Sequence, residues 1–384
     1  MGTYEELMRD ARIRLRYLQE VLAMLYPETI AHRPQDADVE EAREVEEAGE
    51  PHVETRDASG DGVATSARTV LPHRLVPRLL VPRAPWHSVL GRRVVVADGP
   101  DTIETYLSDV LGQRIHVVVH VRPARRANRK PILEAHGPAG LVGYVKVGDS
   151  DRARDLVQHE AEVLRMLAAR PLKVVVPPTV LHQGVWRGLD VLVVSPLPVT
   201  SRRVPMDLLN TAVAEIAALG RGRMITNPVW QGERAWAGTY ARSRMTFTQV
   251  KAVTAEPVHD HAENAAWGWH GDLAPWNVSA SADGRLLVWD WERFGSGVPF
   301  GFDALHYFFH RALRRMRPAT AAHACLAQSG RVLEPFGLST AEARRTAAHY
   351  LITIADRHHR DGHEPLGPSS RWLNPVVDHL EGLL

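Results

Sequence analysis

The order of segments predicts an α+β fold of two lobes, a β-rich N-lobe with one helix followed by a helical C-lobe. Three observations carry that expectation. From Arg92 onward, short runs rich in β-branched residues recur up to Ser195. A single amphipathic stretch, Ala153–Leu167, interrupts them. Beyond Pro198 helical patterns dominate to the end, apart from a hairpin-like piece around Leu286–Trp289.

Ahead of the lobes, Tyr4, Met8, Ala11, Leu15, Leu18, Leu22 and Leu25 alternate at spacings of four and three, and Pro27 stops the run. This is an apolar stripe on one helix face, suited to docking on the chain's own body or to pairing with a second copy. Residues 36–62 hold eleven acids and two arginines with almost no large apolar side chains. Such a segment buries too little surface to offset the entropy of ordering, so a linker is expected. The basic stretch over residues 68–93 contains four prolines and leaves extended segments and short helices both open. The expected domains are an N-terminal helix (1–34), an acidic linker (35–66), a basic lead-in with the β-rich N-lobe (67–196) and the helical C-lobe (197–384).

The N-lobe strands are read at Val94–Ala97, Ile115–Val121, Pro131–Ala135, Leu141–Val147, Lys173–Val176 and Val191–Ser195. Composition narrows the function classes. The 384-residue chain carries a net charge of +1, yet residues 1–66 hold 7 Lys and Arg against 16 Asp and Glu. That leaves a balance of −9 there and about +10 on the remainder, an acidic arm on a basic body. The lone Cys325 excludes a disulfide framework and a multi-cysteine metal site, and fits a reducing cytoplasm. The N-terminus lacks a secretory h-region and no apolar run approaches the roughly 18 residues of a membrane span. No stacking-aromatic pattern accompanies the basic stretches and the isoelectric point is near 8.1, so neither membrane nor nucleic acid is an expected partner.

The chemistry concentrates in Trp269-His-Gly-Asp-Leu-Ala-Pro-Trp-Asn277 and Leu286-Leu-Val-Trp-Asp-Trp-Glu292. Asp272 is followed by Asn277 five residues later and by Asp290 eighteen residues later. An amide and a carboxylate converging from a loop and a strand end suit a hard cation such as Mg²⁺. Asp272 is then left to accept a proton from an incoming hydroxyl, the division of labour of phosphoryl transfer.

The spacing H-G-D-x4-N-x12-D resembles the aminoglycoside phosphotransferase and choline kinase-like family, whose fold is protein-kinase-like. The resemblance covers roughly residues 92–384. It implies Asp272 as catalytic base, His270 as the residue orienting its loop, and Asn277 and Asp290 as magnesium ligands. Trp276 stands where the family often has glycine. Lys146, inside the apolar strand Gly143–Val147, is implied as the contact to the ATP α/β-phosphates, with Glu160 as its helix partner and Glu162 as the alternative. Asp303 would brace the loop or cap a helix. Main-chain groups from Val194 to Leu197 would meet adenine.

Between the strands ending at Val121 and starting at Pro131 no glycine-rich loop is found. Five basic residues lie between Arg122 and Lys130 instead, and Arg126, Arg129 and Lys130 are read either as phosphate ligands or as a solvated turn. Glu292, Asp260 and Glu263 are candidates to receive a cationic acceptor, and Trp267, Trp269, Trp276, Trp289 and Trp291 to wall its pocket. His306 and His310 have the i, i+4 spacing of a zinc pair, but their neighbours read as core and no H-E-x-x-H is present. His358, His359 and His363 read as a solvated turn. The implied function is an ATP- and Mg²⁺-dependent phosphotransferase acting on a small-molecule hydroxyl. Its rival is a kinase-like module that binds a nucleotide or partner without turnover, and the N-terminal helix leaves a homodimer or a protein partner open.

Overall fold

The computed structural model describes residues 4–27, 65–73, 76–84, 92–121, 130–200, 203–220, 267–361 and 366–374. The fold is α+β. The chain divides into two units, residues 1–124 with 131–145, and residues 125–130 with 146–384.

In the first unit, helix α1 (Tyr4–Leu25) forms where the apolar stripe predicts it and packs on β2 (Val76–Pro82). Leu18, Leu22 and Leu25 are buried, so the face that could have gone to the chain's own body or to a second copy is covered by the chain itself. Arg14, on the same face, donates to the Val121 carbonyl at 2.9 Å. Strand β1 (Thr65–His73) pairs antiparallel with both β2 and β3 (Arg92–Ala97). β2 continues to β4 (His116–His120), and β4 to β5 (Ile132–Gly137), again antiparallel. With β6 (Gly140–Gly148), whose last residues from Lys146 on belong to the second unit, the strand order is β3-β1-β2-β4-β5-β6. The described strands of the proline-rich stretch, within 68–73, 76–82 and 92–93, are therefore extended. Pro72, Pro77 and Pro82 are accommodated because the register of β1 shifts between Leu71 and Pro72, Pro72 lies opposite Pro77, and Pro82 ends β2.

A second helix, α2 (Ile103–Leu111), stands among these strands where the sequence reading had placed only Ala153–Leu167. Nine residues are too few for a clear periodicity, but its end signals are present. The Thr102 hydroxyl accepts the Thr105 amide at 3.3 Å, and Gly112 closes the helix at φ +67°. α2 carries Glu104, which meets Arg68 of β1 at 2.7 Å and accepts the Val117 amide at 2.6 Å.

The second unit opens with α3 (Asp151–Ala168), capped by Ser150, with Leu156, Val157, Ala161, Leu164 and Leu167 on its buried face. Hairpin β8 (Val180–Trp186) and β9 (Leu189–Val194) follows, then α4 (Met206–Ala218). Strands persist beyond residue 198 in more places than expected. β10 (Trp267–Trp269) pairs with β13 (Gly295–Val298), and β11 (Val278–Ala280) pairs antiparallel with β12 (Leu286–Val288). β12 also runs parallel to β7 (Val175–Val176). Helices α5 (Phe302–Leu313), α6 (Pro318–Ala327), α7 (Ser329–Leu333), α8 (Thr340–Arg360) and α9 (Ser369–Trp372) complete the unit. His358 and His359 belong to α8, and His358 is buried, because a capping box at Ser339/Glu342 launches 21 residues of continuous helix where a solvated turn was expected. His363 lies outside the described residues. Among the described residues no helix is long and apolar enough to cross a membrane.

Candidate active site

Strand alternation puts Lys146 between Val145 and Val147 near the end of β6, in a position 7% exposed. A buried ammonium needs counter-charges, and α3 supplies one. Both Glu160 carboxylate oxygens lie on Lys146 Nζ, at 2.7 and 2.5 Å. Glu162 is on the exposed side of the helix. Asp290 Oδ1 adds a second contact at 2.6 Å, and the Trp291 amide donates to Glu160 at 3.2 Å. Lys130 is buried and ion-paired with Glu292, whose carboxylate also lies 3.9 Å from Lys146. Two ammonium groups thus face three carboxylates. Burial alone would lower Lys146, but Asp290 and Glu160 outweigh it and hold it above the ordinary lysine range. Burial likewise opposes ionisation of Asp290, yet Lys146 and Lys130 bring it down to about 2.

The β11–β12 hairpin sets the next pair of side chains. Val278 faces Val288, and the Trp289 amide donates to the Asn277 carbonyl at 3.2 Å, so Asn277 and Asp290 emerge at the same end of the hairpin. Asp290 turns out of the strand in the left-handed region, at φ +72°, which few non-glycine residues occupy. Asn277 Nδ2 donates to the carbonyl and to Oδ2 of Asp272, each at 2.9 Å. With the amide nitrogen committed in this way, Asn277 Oδ1 remains as a ligand oxygen.

The loop between β10 and β11 is held by Asp303 in the first turn of α5. Its two oxygens accept the His270 amide at 2.7 Å and the Gly271 amide at 3.3 Å. Asp303 is a brace and not a helix cap, since Gly301 occupies the N-cap position. Burial pushes its carboxyl up to about 7 despite the two donors. Gly271 has φ +81°, and a Cβ there would stand 2.3 Å from the Arg293 carbonyl oxygen, so this turn admits only glycine. His270 is fully buried, accepts the Asp272 amide on Nδ1 at 3.2 Å, and packs edge-on against Trp291.

Asp272 itself is met from the helices. His306 Nε2 lies 3.1 Å from Asp272 Oδ1, and the Tyr350 hydroxyl lies 3.1 Å from His306 Nδ1. Burial brings the His306 imidazole down to about 4. It is then neutral, with Nε2–H donating to the carboxylate and Nδ1 accepting from Tyr350. Burial works against the charge on Asp272, but His306 and the Arg357 guanidinium outweigh it and hold the carboxyl far below its usual range. Arg357 reaches in from α8 and donates to the Gly271 carbonyl. Asp272 keeps 26% of its side chain exposed. An ionised, oriented and reachable carboxylate is equipped to receive a proton.

The structure brings together Lys146, Glu160, His270, Asp272, Asn277 and Asp290 in one unit. Val194 ends β9, buried, and Leu197 is half-buried in the extended segment after it. Arg126, Arg129, Asp260 and Glu263 lie outside the described residues. Glu292 does not face an acceptor: it is 6% exposed and already neutralised by Lys130. Trp291 and Trp269 are core residues, 0% and 3% exposed, whereas Trp276 is open to solvent. Sequence reasoning missed His306, Tyr350 and Arg357 as partners of the Asp272 loop. The only local signal was the His306–His310 spacing, since Asp272 lies 34 residues from His306.

No protein-family model matches the sequence, and no curated protein matches it. Solved structures similar to it include a provisionally assigned fructosamine-3-kinase from Haemophilus somnus, with 14% identity and a TM-score of 0.45 over 72% of this chain and 96% of that one. Others are a macrolide 2'-phosphotransferase from Brachybacterium faecium (15%, 0.42, over 71% and 96%) and a GDP complex of aminoglycoside 2'-phosphotransferase-IIIa (13%, 0.39, over 66% and 88%).

Proposed function

We propose that the chain is a phosphotransferase that moves the γ-phosphoryl group of ATP to a hydroxyl of a small molecule such as a sugar, an aminocyclitol or an amino alcohol. The observation that carries this reading is the joined set Glu160–Lys146–Asp290, with Asn277 and Asp272 on the neighbouring loop. Lys146, fixed by Glu160, meets the α/β-phosphates, and Arg126 and Arg129 are read from the sequence alone as further phosphate ligands. The main chain from Val194 to Leu197 receives the adenine. Asn277 Oδ1 and the Asp290 carboxylate are hard oxygen donors that fit Mg²⁺, which when bound neutralises charge on the transferring group. Asp272 takes the proton of the acceptor hydroxyl while that oxygen attacks the γ-phosphorus and ADP leaves with the electrons of the broken bond. His306 and Asn277 hold the two Asp272 oxygens during this transfer.

A thermal-shift titration with ATP, with and without Mg²⁺, tests this. Binding to the native state raises stability by mass action, about 2.7 kcal/mol at a hundredfold excess over Kd. Wild type is expected to show a Mg²⁺-dependent rise that Asp290→Asn loses. Asp272→Asn should keep that rise yet lose orders of magnitude in ADP release with an active acceptor. No rise at millimolar MgATP would transfer the reading to the module without turnover.

A further inference from the structure

We propose that Asp272, His306 and His310 form a site for a borderline-soft divalent ion, Zn²⁺ by preference, distinct from the oxygen pair Asn277–Asp290. His306 and His310 stand one turn apart on α5 with ring centroids 4.2 Å apart. One donor atom from each of the three residues falls within 4.8 Å of the others. The 3.1 Å between Asp272 Oδ1 and His306 Nε2 is close to the roughly 3.3 Å between two ligands of a tetrahedral zinc ion.

His310 supplies the independent observation. It is 6% exposed, and its Nε2 has no hydrogen-bond partner among the described residues. A buried polar nitrogen left unsatisfied is costly, and a metal bond would remove that cost. The Tyr350 hydroxyl on His306 Nδ1 is the outer partner such a site needs. With a metal on Nε2 the ring proton moves to Nδ1 and is donated to Tyr350, which fixes the ring. Two imidazoles and one carboxylate select zinc over magnesium and leave a fourth position for water. Access runs past Trp276, which is 51% exposed and packs edge-on against His310. The Arg357 charge nearby weakens binding without supplying a ligand, since its guanidinium is engaged by the Gly271 carbonyl. An ion here would occupy the carboxylate that accepts the proton, so Zn²⁺ would block phosphoryl transfer. That consequence rests on the function proposed above; the site itself does not.

Co²⁺ added to the full chain without nucleotide is the probe, read by its ligand-field absorption and displaced by Zn²⁺. One equivalent should bind with the spectrum of a four- or five-coordinate nitrogen and oxygen site. His310→Gln should abolish it, Tyr350→Phe should weaken binding roughly tenfold, and His323→Ala should change nothing. If His310→Gln does not fold, X-ray absorption of the wild-type Zn²⁺ complex should still show two imidazoles. Absent stoichiometric binding, a spectrum unchanged in folded His310→Gln, or scattering without two imidazoles would overturn the site. Loss of the MgATP response alone would count against the phosphotransferase reading and leave the Co²⁺ result standing.

Discussion

Each unit buries a cluster of opposite charges, and the two are built differently. In the first, Arg68 and Glu104 are 3% and 10% exposed, one cation against one anion. The Val117 backbone takes up both sides of the pair, its carbonyl accepting from Arg68 and its amide donating to Glu104. In the second, two lysines face three carboxylates, and one of these, Asp290, keeps 31% of its side chain exposed. A buried pair of this kind holds two elements together and offers no reachable charge, although Arg68 Nε finds no hydrogen-bond partner among the described residues. The second set stays open at Asp290, and under the function proposed above that reachable end is where a further cation would be held.

The largest effect should come from breaking the closed pair. Arg68→Met leaves Glu104 buried and unpaired, and should cost about 3–5 kcal/mol in urea unfolding. A cost under about 1 kcal/mol would place the pair with ordinary surface bridges and erase the contrast. Next comes Gly271→Ala, which forces a Cβ against the Arg293 carbonyl at positive φ, for an expected loss of about 2–3 kcal/mol.

A smaller effect follows from pH. His270, His306 and His349 are each lowered to about 4, so between about 4 and 6.5 the unfolded chain binds protons that the folded one refuses. That makes stability rise with pH across this range. Asp303, raised to about 7, acts in the opposite sense, because its proton stabilises the fold until pH climbs through that value. Even leaving out His310, which burial also lowers well below its ordinary value, three imidazoles against one carboxyl leave a net gain of at least roughly 1–2 kcal/mol from pH 5.5 to 6.5. Urea midpoints that are flat or falling over this step would mean that the imidazoles charge in place. Smallest should be Asp290→Asn, under about 1 kcal/mol in the ligand-free chain, since Glu160 still pairs Lys146. Under the function proposed above the same variant is expected to lose the Mg²⁺ response, and that separation of stability from binding is the sharpest form of the contrast.

Much of the site was legible because its parts are local. The H-G-D loop, Asn277 and Asp290 fall within 21 residues, and a lysine inside an apolar strand announces a buried charge. The resemblance already put Glu160 ahead of Glu162 as the partner of Lys146, and the helix orientation agrees, with Glu160 on Lys146 and Glu162 exposed. His306, Tyr350 and Arg357 reach Asp272 only through the packing of α5 and α8, and no spacing in the sequence encodes that. In the first unit, prolines obscured β1 and β2, because proline in a strand ordinarily signals an edge or an interruption. Here a register shift absorbs it. α2 escaped notice for want of length, although Thr102 and Gly112 mark both its ends.

The β11–β12 hairpin has a consequence for how the two oxygen donors could vary in evolution. Asn277 and Asp290 are positioned by facing residues and one hydrogen bond, so their separation is settled when the hairpin closes, before any ion arrives. If the pair holds a cation as proposed above, the ordering entropy of the second donor, about 1–2 kcal/mol per residue, falls on folding and not on binding. The turn that joins the strands, around Asp283 and Gly284, is exposed and remote from both donors. Its length can change without moving either donor, although Gly284 sits at φ +79° and the Arg285 amide donates to the Ser281 hydroxyl at 3.0 Å, whereas a single residue inserted between Asn277 and Val278, or between Val288 and Asp290, would carry one donor out of reach of the other.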